Sequence, residues 1–326
     1  MFLLVDTLID RTILRDNQPI KFNKNLGKEV IFYSLTPSII ASNISKKHTR
    51  IELVVKTDAP VKSIPFFERI VGKNQQGEVI EIPNSVTEFL KGKTDFLNKE
   101  LTRFVGLVLW RLGIEEQESQ PEGLLYWSLD GKNWNKDPRW LFKKPNPSRL
   151  TINTISNEGI LEDLIQGEFE EPISYNIFRQ AKTAFPRQPG TALILSYLAA
   201  EVAIKDLVCT KFPGSEWYIM NAQSPTMANF LRDFFHDLPG AKRIFGESWK
   251  IPEPFLKKVT SFSSQRNNLI HQGKREGVKE NARKAIQISK NIIWLCEILK
   301  GHEWARAYLD DEAKKTLGIL EVLPNK

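Results

Sequence analysis

Residues 263–273 read SSQRNNLIHQG and bring together three side chains suited to one piece of chemistry: Arg266, the amide Asn267 that follows it, and His271. Cleaving an RNA phosphodiester without a metal makes three demands. The 2′-hydroxyl must lose a proton, the departing 5′-oxygen must gain one, and the charge that builds on the phosphorane must be stabilised. Histidine, which exchanges its proton near neutrality, suits the first two, and the forked, permanently charged guanidinium suits the third. The run lies in a helical pattern. Phe255, Val259, Phe262, Arg266 and Leu269 follow one another at spacings of four and three, the stripe by which a helix faces a core or a partner. Arg266 interrupts that apolar face, where a guanidinium must snorkel, meet a carboxylate or line a cleft that receives an anion. Asn267 and His271 are four apart and so are neighbours on the flank of the stripe. Gly273 suits a C-terminal cap, which sets His271 in the last turn of the helix.

One chain supplies one such histidine, whereas two proton transfers are best served by two groups. A symmetric dimer packed through this helix would bring two sets face to face, and would also explain why the stripe is otherwise apolar. The competing account is that His271 merely satisfies helix carbonyls and the negative end of the helix dipole.

The elements that must position these residues divide the chain. It has 326 residues, 41% hydrophobic and 26% charged, enough for two domains with separate cores. The expected class is α+β. Residues 1–150 form a β-rich N-terminal domain with one long helix, 151–172 an acidic linker, and 173–326 an all-α bundle. Strands are expected at 29–34, 50–56, 78–82 and 124–129. The long helix is expected over 84–112, with Ser85 and Glu88 at capping-box spacing and Gly113 after its last apolar residue. Residues 124–134, LLYWSLDGKNW, read as a hairpin turning at Asp130-Gly131. Its Trp127 and Trp134 are expected to form a cross-strand pair, against the alternative that they stack a ligand. From Ile173 onward the pattern is helical: 173–185, 191–210, 225–237, 253–272, 279–300 and a short segment near 303–316, punctuated by glycine and proline.

In this setting RNNLIHQG, with the helix ALILSYLAAEVAIKDLV upstream and NARKAIQISKNIIWLCEIL downstream, resembles the HEPN superfamily, and most of all its Apea-like branch. The resemblance covers residues 173–300. Members of that superfamily are helical bundles that usually dimerise, and their R-x(4–6)-H motif forms a composite, metal-independent ribonuclease site at the dimer interface. The resemblance implies that His271 acts in proton transfer or 2′-OH activation, that Arg266 holds the scissile phosphate, and that Asn267 orients the pair. In the toxin branch the motif continues R-x4-H-x-Y, and that tyrosine is the one modified by the antitoxin. Gly273 stands at that position here, so silencing by such a modification is not expected.

Charge agrees with a polyanion partner. The chain carries a net +7, and residues 251–300 hold ten Lys and Arg against four Glu, whereas residues 151–200 hold three against six Asp and Glu. Lys274, Arg275, Lys279 and Arg283 follow the motif and are candidates to track an RNA backbone. Glu276 and Glu280 interleave with them, so a solvated helix face is an equal alternative. Glu201 is expected either to pair with Arg266 or to point outward.

Only Cys209 and Cys296 are present, both in apolar helical patterns and both read as buried free thiols. His48, His236 and His302 lack metal-ligand company, and phosphate-loop, nucleophile-elbow and dinucleotide-binding motifs are absent. No cofactor, metal or membrane span is therefore expected, and the start MFLLVDTLIDRT is too interrupted for a signal peptide, which points to the cytoplasm. The function expected is a homodimeric endoribonuclease in prokaryotic antiviral defence or toxin-like growth arrest, subject to an activating or inhibiting partner. The alternatives are a non-catalytic HEPN-like RNA-binding or dimerisation scaffold, and a regulator binding a small molecule at the tryptophan hairpin.

Overall fold

The structure is a computed structural model that describes residues 1–9, 20–26, 29–39, 47–58, 67, 82–113, 115, 124–132, 134–136, 169–221, 226–274 and 276–319. The protein is of mixed α+β class. Its contacts divide it into two compact units, residues 1–114 with 118–170, and residues 115–117 with 171–326. The linker expected from the sequence lies outside the described residues as far as position 168. Among the described residues no helix is long and apolar enough to cross a membrane.

The first unit holds an antiparallel sheet of six strands in the order β2-β3-β4-β1-β5-β6. They are β1 (Phe2–Ile9), β2 (Ile20–Leu26), β3 (Glu29–Ile39), β4 (Lys47–Lys56), β5 (Leu124–Ser128) and β6 (Asn135–Lys136). β1 is central, pairing Leu3 with Val55 of β4 on one side and with Trp127 of β5 on the other. Helix α1 (Asn84–Arg111) packs on β1 and β4; Val86, Leu90, Leu97 and Leu101, at spacings of four and seven, bury one face of its first part, and Phe104–Trp110 is buried all round. Gly92 and Gly106 do not break it, and Gly113 follows it at φ 62°.

Several sequence expectations need correction in this unit. The capping box is not made: the helix begins at Asn84, behind Pro83, and Ser85 lies inside the first turn without a capping bond. β1 is not evident from the sequence pattern, because its apolar run FLLV, paired on both sides, lacks period-two alternation, and the edge strand β2 alternates only over residues 20–23, since Lys24 falls where an apolar residue would. The strand expected at 78–82 falls outside the described residues except for Ile82, which is not in a strand. The hairpin turn is present: Ser128 Oγ donates to Asp130 Oδ1 at 2.8 Å, and Gly131 adopts φ 75°. The tryptophan pair is not. Register sets Asn135 opposite Trp127, whose indole is fully buried 4.8 Å from the Phe67 ring. A ligand cannot stack on it there.

The second unit is helical throughout its described residues: α2 (Ile173–Ala184), α3 (Pro189–Lys211), α4 (Glu216–Asn221), α5 (Met227–Asp233), α6 (Ala241–Phe245), α7 (Glu253–Gln272), α8 (Val278–Lys300) and α9 (Asp311–Leu317). Short 3-10 turns occupy Phe235–Asp237 and Glu303–Tyr308. The segment expected as one helix over 225–237 is thus broken, and α4 and α6 have no counterpart among the expected helices. α3 and α8 pack through small residues, Ala192, Ser196, Ala199 and Ala203 on one and Ala282, Ala285 and Ser289 on the other, all buried. Small side chains let helix axes approach closely, and here Ser289 Oγ donates to the Ser196 carbonyl at 2.7 Å. Further along α8, Ile292–Leu299 is buried all round. Each large apolar side chain there contributes about 1.5–3 kcal/mol.

Partly buried charges are paired in this unit too. Lys290 bridges Glu115 at 2.9 Å and Asp310 at 3.0 Å, and Glu115 also pairs with Lys182. Lys300 pairs with Asp206 and, at 2.8 Å, with the buried Glu297. Burial alone would lower both lysines, but these carboxylates reverse that and hold them above their ordinary value. Burial pushes the Tyr175 phenol and the Cys296 thiol well up. Cys209, against expectation, is only partly buried, and both cysteines are free.

A group whose folded pKa is raised stabilises the fold below its unfolded pKa and loses that contribution as pH climbs through the folded value. All four groups act in that sense, with ordinary values of 9.0, 10.0 and 10.5. Lys211, lowered by burial and by Arg243, acts in the opposite sense. The urea midpoint is therefore expected to fall steadily from about pH 8 to about pH 11. A flat profile would show that these buried groups exchange protons as freely as in the unfolded chain.

Candidate functional site

The helix that carries the motif is α7. Pro252 and Pro254 open it with preset backbone angles, and Phe255, Leu256, Val259 and Phe262 bury its first half. Beyond Phe262 no residue of α7 is fully buried: Arg266 and Leu269 are half-buried, and Asn267, Ile270 and His271 are exposed. The apolar stripe thus rises out of the core where the motif begins. Gly273 ends the helix at φ 64°, its N–H and that of Lys274 both capping the Asn268 carbonyl, so His271 does lie in the last turn.

A cavity of about 550 Å³ opens beside this end of the helix, and Arg266, Asn267 and His271 all line it. What holds Arg266 is an amide and a ring. Its Nη1 donates to Asn267 Oδ1 at 2.9 Å, and its guanidinium lies 4.9 Å from the centre of the Tyr197 ring. Tyr197 in turn packs edge-on against Phe262 at 5.3 Å. A cation over an aromatic face, held laterally by an amide oxygen, keeps a fixed direction while its remaining donors stay available.

Tyr197 comes from α3, as do Glu201 and Lys205, which line the same cavity and pair with each other at 2.8 Å. Glu201 does not make the Arg266 pair: its ion pair is with Lys205, and its side chain, about a third exposed, lines the open cavity. Ile204 and Val208 of α3, Ile219 of α4, Thr226, and Met227 and Phe230 of α5 complete the lining.

Tyr197 is the functional candidate that sequence reasoning missed. The signal was present in LSYLAAE, where one aromatic with a polar tip interrupts small and aliphatic residues four before Glu201. Of the residues expected to track RNA, Lys274, Lys279 and Arg283 are exposed, and Arg275 lies outside the described residues. Arg283 and Lys284 share Glu280, the pattern of a solvated helix face. Comparison of the chain with family models, curated proteins and solved structures finds no match.

Proposed function

We propose that the chain is a metal-independent endoribonuclease of HEPN type, working as a homodimer whose site is shared between two copies. The observation that carries this reading is the cavity lined by Arg266, Asn267 and His271 together, with the guanidinium aligned by Asn267 and Tyr197. A positioned cation beside a solvent-accessible imidazole is what the transesterification requires.

His271 takes the proton of the 2′-hydroxyl, whose oxygen attacks phosphorus. Arg266 stabilises the phosphorane. The bond from phosphorus to the 5′-oxygen breaks as that oxygen receives a proton from His271 of the partner subunit, leaving a 2′,3′-cyclic phosphate and a 5′-hydroxyl. Lys274, Lys279 and Arg283 would attract the RNA backbone, and the first unit would sense a trigger or recruit a partner in antiviral defence or growth arrest.

Arg266→Lys tests the assignment without removing charge. Lysine lacks the fork and the planar stack, so kcat is expected to fall about 10²-fold with KM little changed. Full activity in Arg266→Lys would mean that only a diffuse positive charge is needed, and would remove the forked, stacked contact to the phosphate assigned to Arg266.

A further inference from the structure

We infer that the cavity beside the motif is a nucleobase pocket for an unpaired guanosine, whose 3′-phosphate is the one presented to Arg266. This deepens the ribonuclease reading and rests on it for the identity of the scissile phosphate. Three observations lead to it. First, the motif accounts for only part of the lining. Ile204, Val208, Met227 and Phe230 supply an apolar wall that gives nothing to a phosphate but suits the face of a base, which packs on aromatic and thioether groups. The Phe230 ring is itself braced by Phe234 at 4.9 Å and Phe235 at 6.0 Å, so the wall is preformed.

Second, about 550 Å³ exceeds what a phosphate alone would occupy and lies within the range of small-ligand pockets.

Third, the cavity contains a carboxylate. Glu201 pairs with Lys205 at 2.8 Å and has nothing to offer a phosphate, so its remaining acceptor capacity serves another part of the ligand. The pair offers acceptors next to a donor. Guanine presents the complement: the ring N1–H and the 2-amino group side by side, then the O6 acceptor. A carboxylate takes the first two as a bidentate pair while the ammonium donates to O6. Adenine and cytosine offer a carboxylate only their amino group, and uracil offers one ring N–H between two oxygens. A base held in such a pocket must have left its stack, so the substrate class is single-stranded RNA or a loop, cut after guanosine.

The test measures binding and cutting separately on the full chain. Calorimetric titrations with 3′-GMP, 3′-AMP, 3′-CMP and 3′-UMP are expected to give 3′-GMP the lowest Kd, by about tenfold. Glu201→Gln should erase that advantage and leave the other three nucleotides unchanged. Arg266→Ala should weaken 3′-GMP while sparing guanosine, which has no phosphate. Glu201 is a partly exposed residue on a well-packed helix, so Glu201→Gln should fold as wild type does, which far-UV circular dichroism checks. Equal affinity for all four nucleotides, preference for another base, or a guanine preference that survives in Glu201→Gln would overturn the pocket. If RNA is cut without base preference, the pocket is wrong and the ribonuclease reading stands. If 3′-GMP binds through Glu201 and no RNA is cut, the pocket stands and the ribonuclease reading is lost.

Discussion

Replacing His271 with alanine is expected to slow RNA cleavage by about 10²- to 10⁴-fold while leaving the fold and the dimer intact. The size follows from the role: a group that moves a proton in the transition state cannot be replaced by water at the same position without losing both proximity and matched basicity. The neutrality toward folding follows from the structure. His271 is exposed in the last turn of α7, and the cap at Gly273 that ends the helix is made by backbone groups. Thermal unfolding of His271→Ala should therefore stay close to wild type. If His271 only served the helix dipole, the reverse pattern would appear: a small loss of stability and unchanged cleavage. Expression in cells extends the comparison, since wild type should arrest growth and degrade RNA while the variant does neither.

The largest expected effect on stability lies elsewhere in the same unit. Arg179 forks onto Glu171, with Nε to Oε1 and Nη2 to Oε2 both at 2.8 Å, and both side chains are nearly buried. Burial pushes the Glu171 carboxyl up, and the guanidinium only partly offsets this. Removing the arginine leaves an uncompensated carboxylate in the interior, so Arg179→Ala is expected to destabilise the protein by about 3–5 kcal/mol. Replacing both partners with leucine should recover much of that loss, because no charge then remains to be desolvated. The sign with pH is fixed as well. A carboxyl whose folded pKa is raised is penalised most at neutral pH and relieved as pH falls toward that value, so the Arg179→Ala deficit should shrink on acidification. Urea unfolding of the single and double variants near pH 7 and near pH 5 decides the matter. A deficit that is constant with pH would mean that lost packing, not charge, is responsible.

Much of the helical unit was legible because its helices carry strong periodic stripes bounded by Gly and Pro. α7 spans the residues its pattern predicts, and its C-terminal glycine adopts the left-handed conformation that its position required. The short helices α4 and α6 were not legible, since five or six residues give no period. Trp127 illustrates a different limit. A hairpin could be read from Asp130-Gly131, but the register within it depends on the turn's hydrogen bonds, and a single-residue offset put Asn135 where Trp134 was expected.

The site was half legible for a similar reason. Arg266, Asn267 and His271 are near in sequence, and helix geometry alone predicts their company. Tyr197, Glu201 and Lys205 join them only through the packing of α3 against α7, which no local pattern encodes. Likewise the guanidinium could be seen to need a partner, but that the partner is an aromatic ring on another helix is a tertiary fact.

The most direct test of the central claim is the chemistry of the fragment ends. Structured RNA incubated with the purified protein in EDTA, followed by mass spectrometry of the products, should yield 2′,3′-cyclic phosphates and 5′-hydroxyls, and the same incubation with His271→Ala should yield none. Fragments bearing 5′-phosphates and 3′-hydroxyls, cleavage that EDTA abolishes, or products identical in both proteins would contradict a histidine-driven attack by the 2′-hydroxyl.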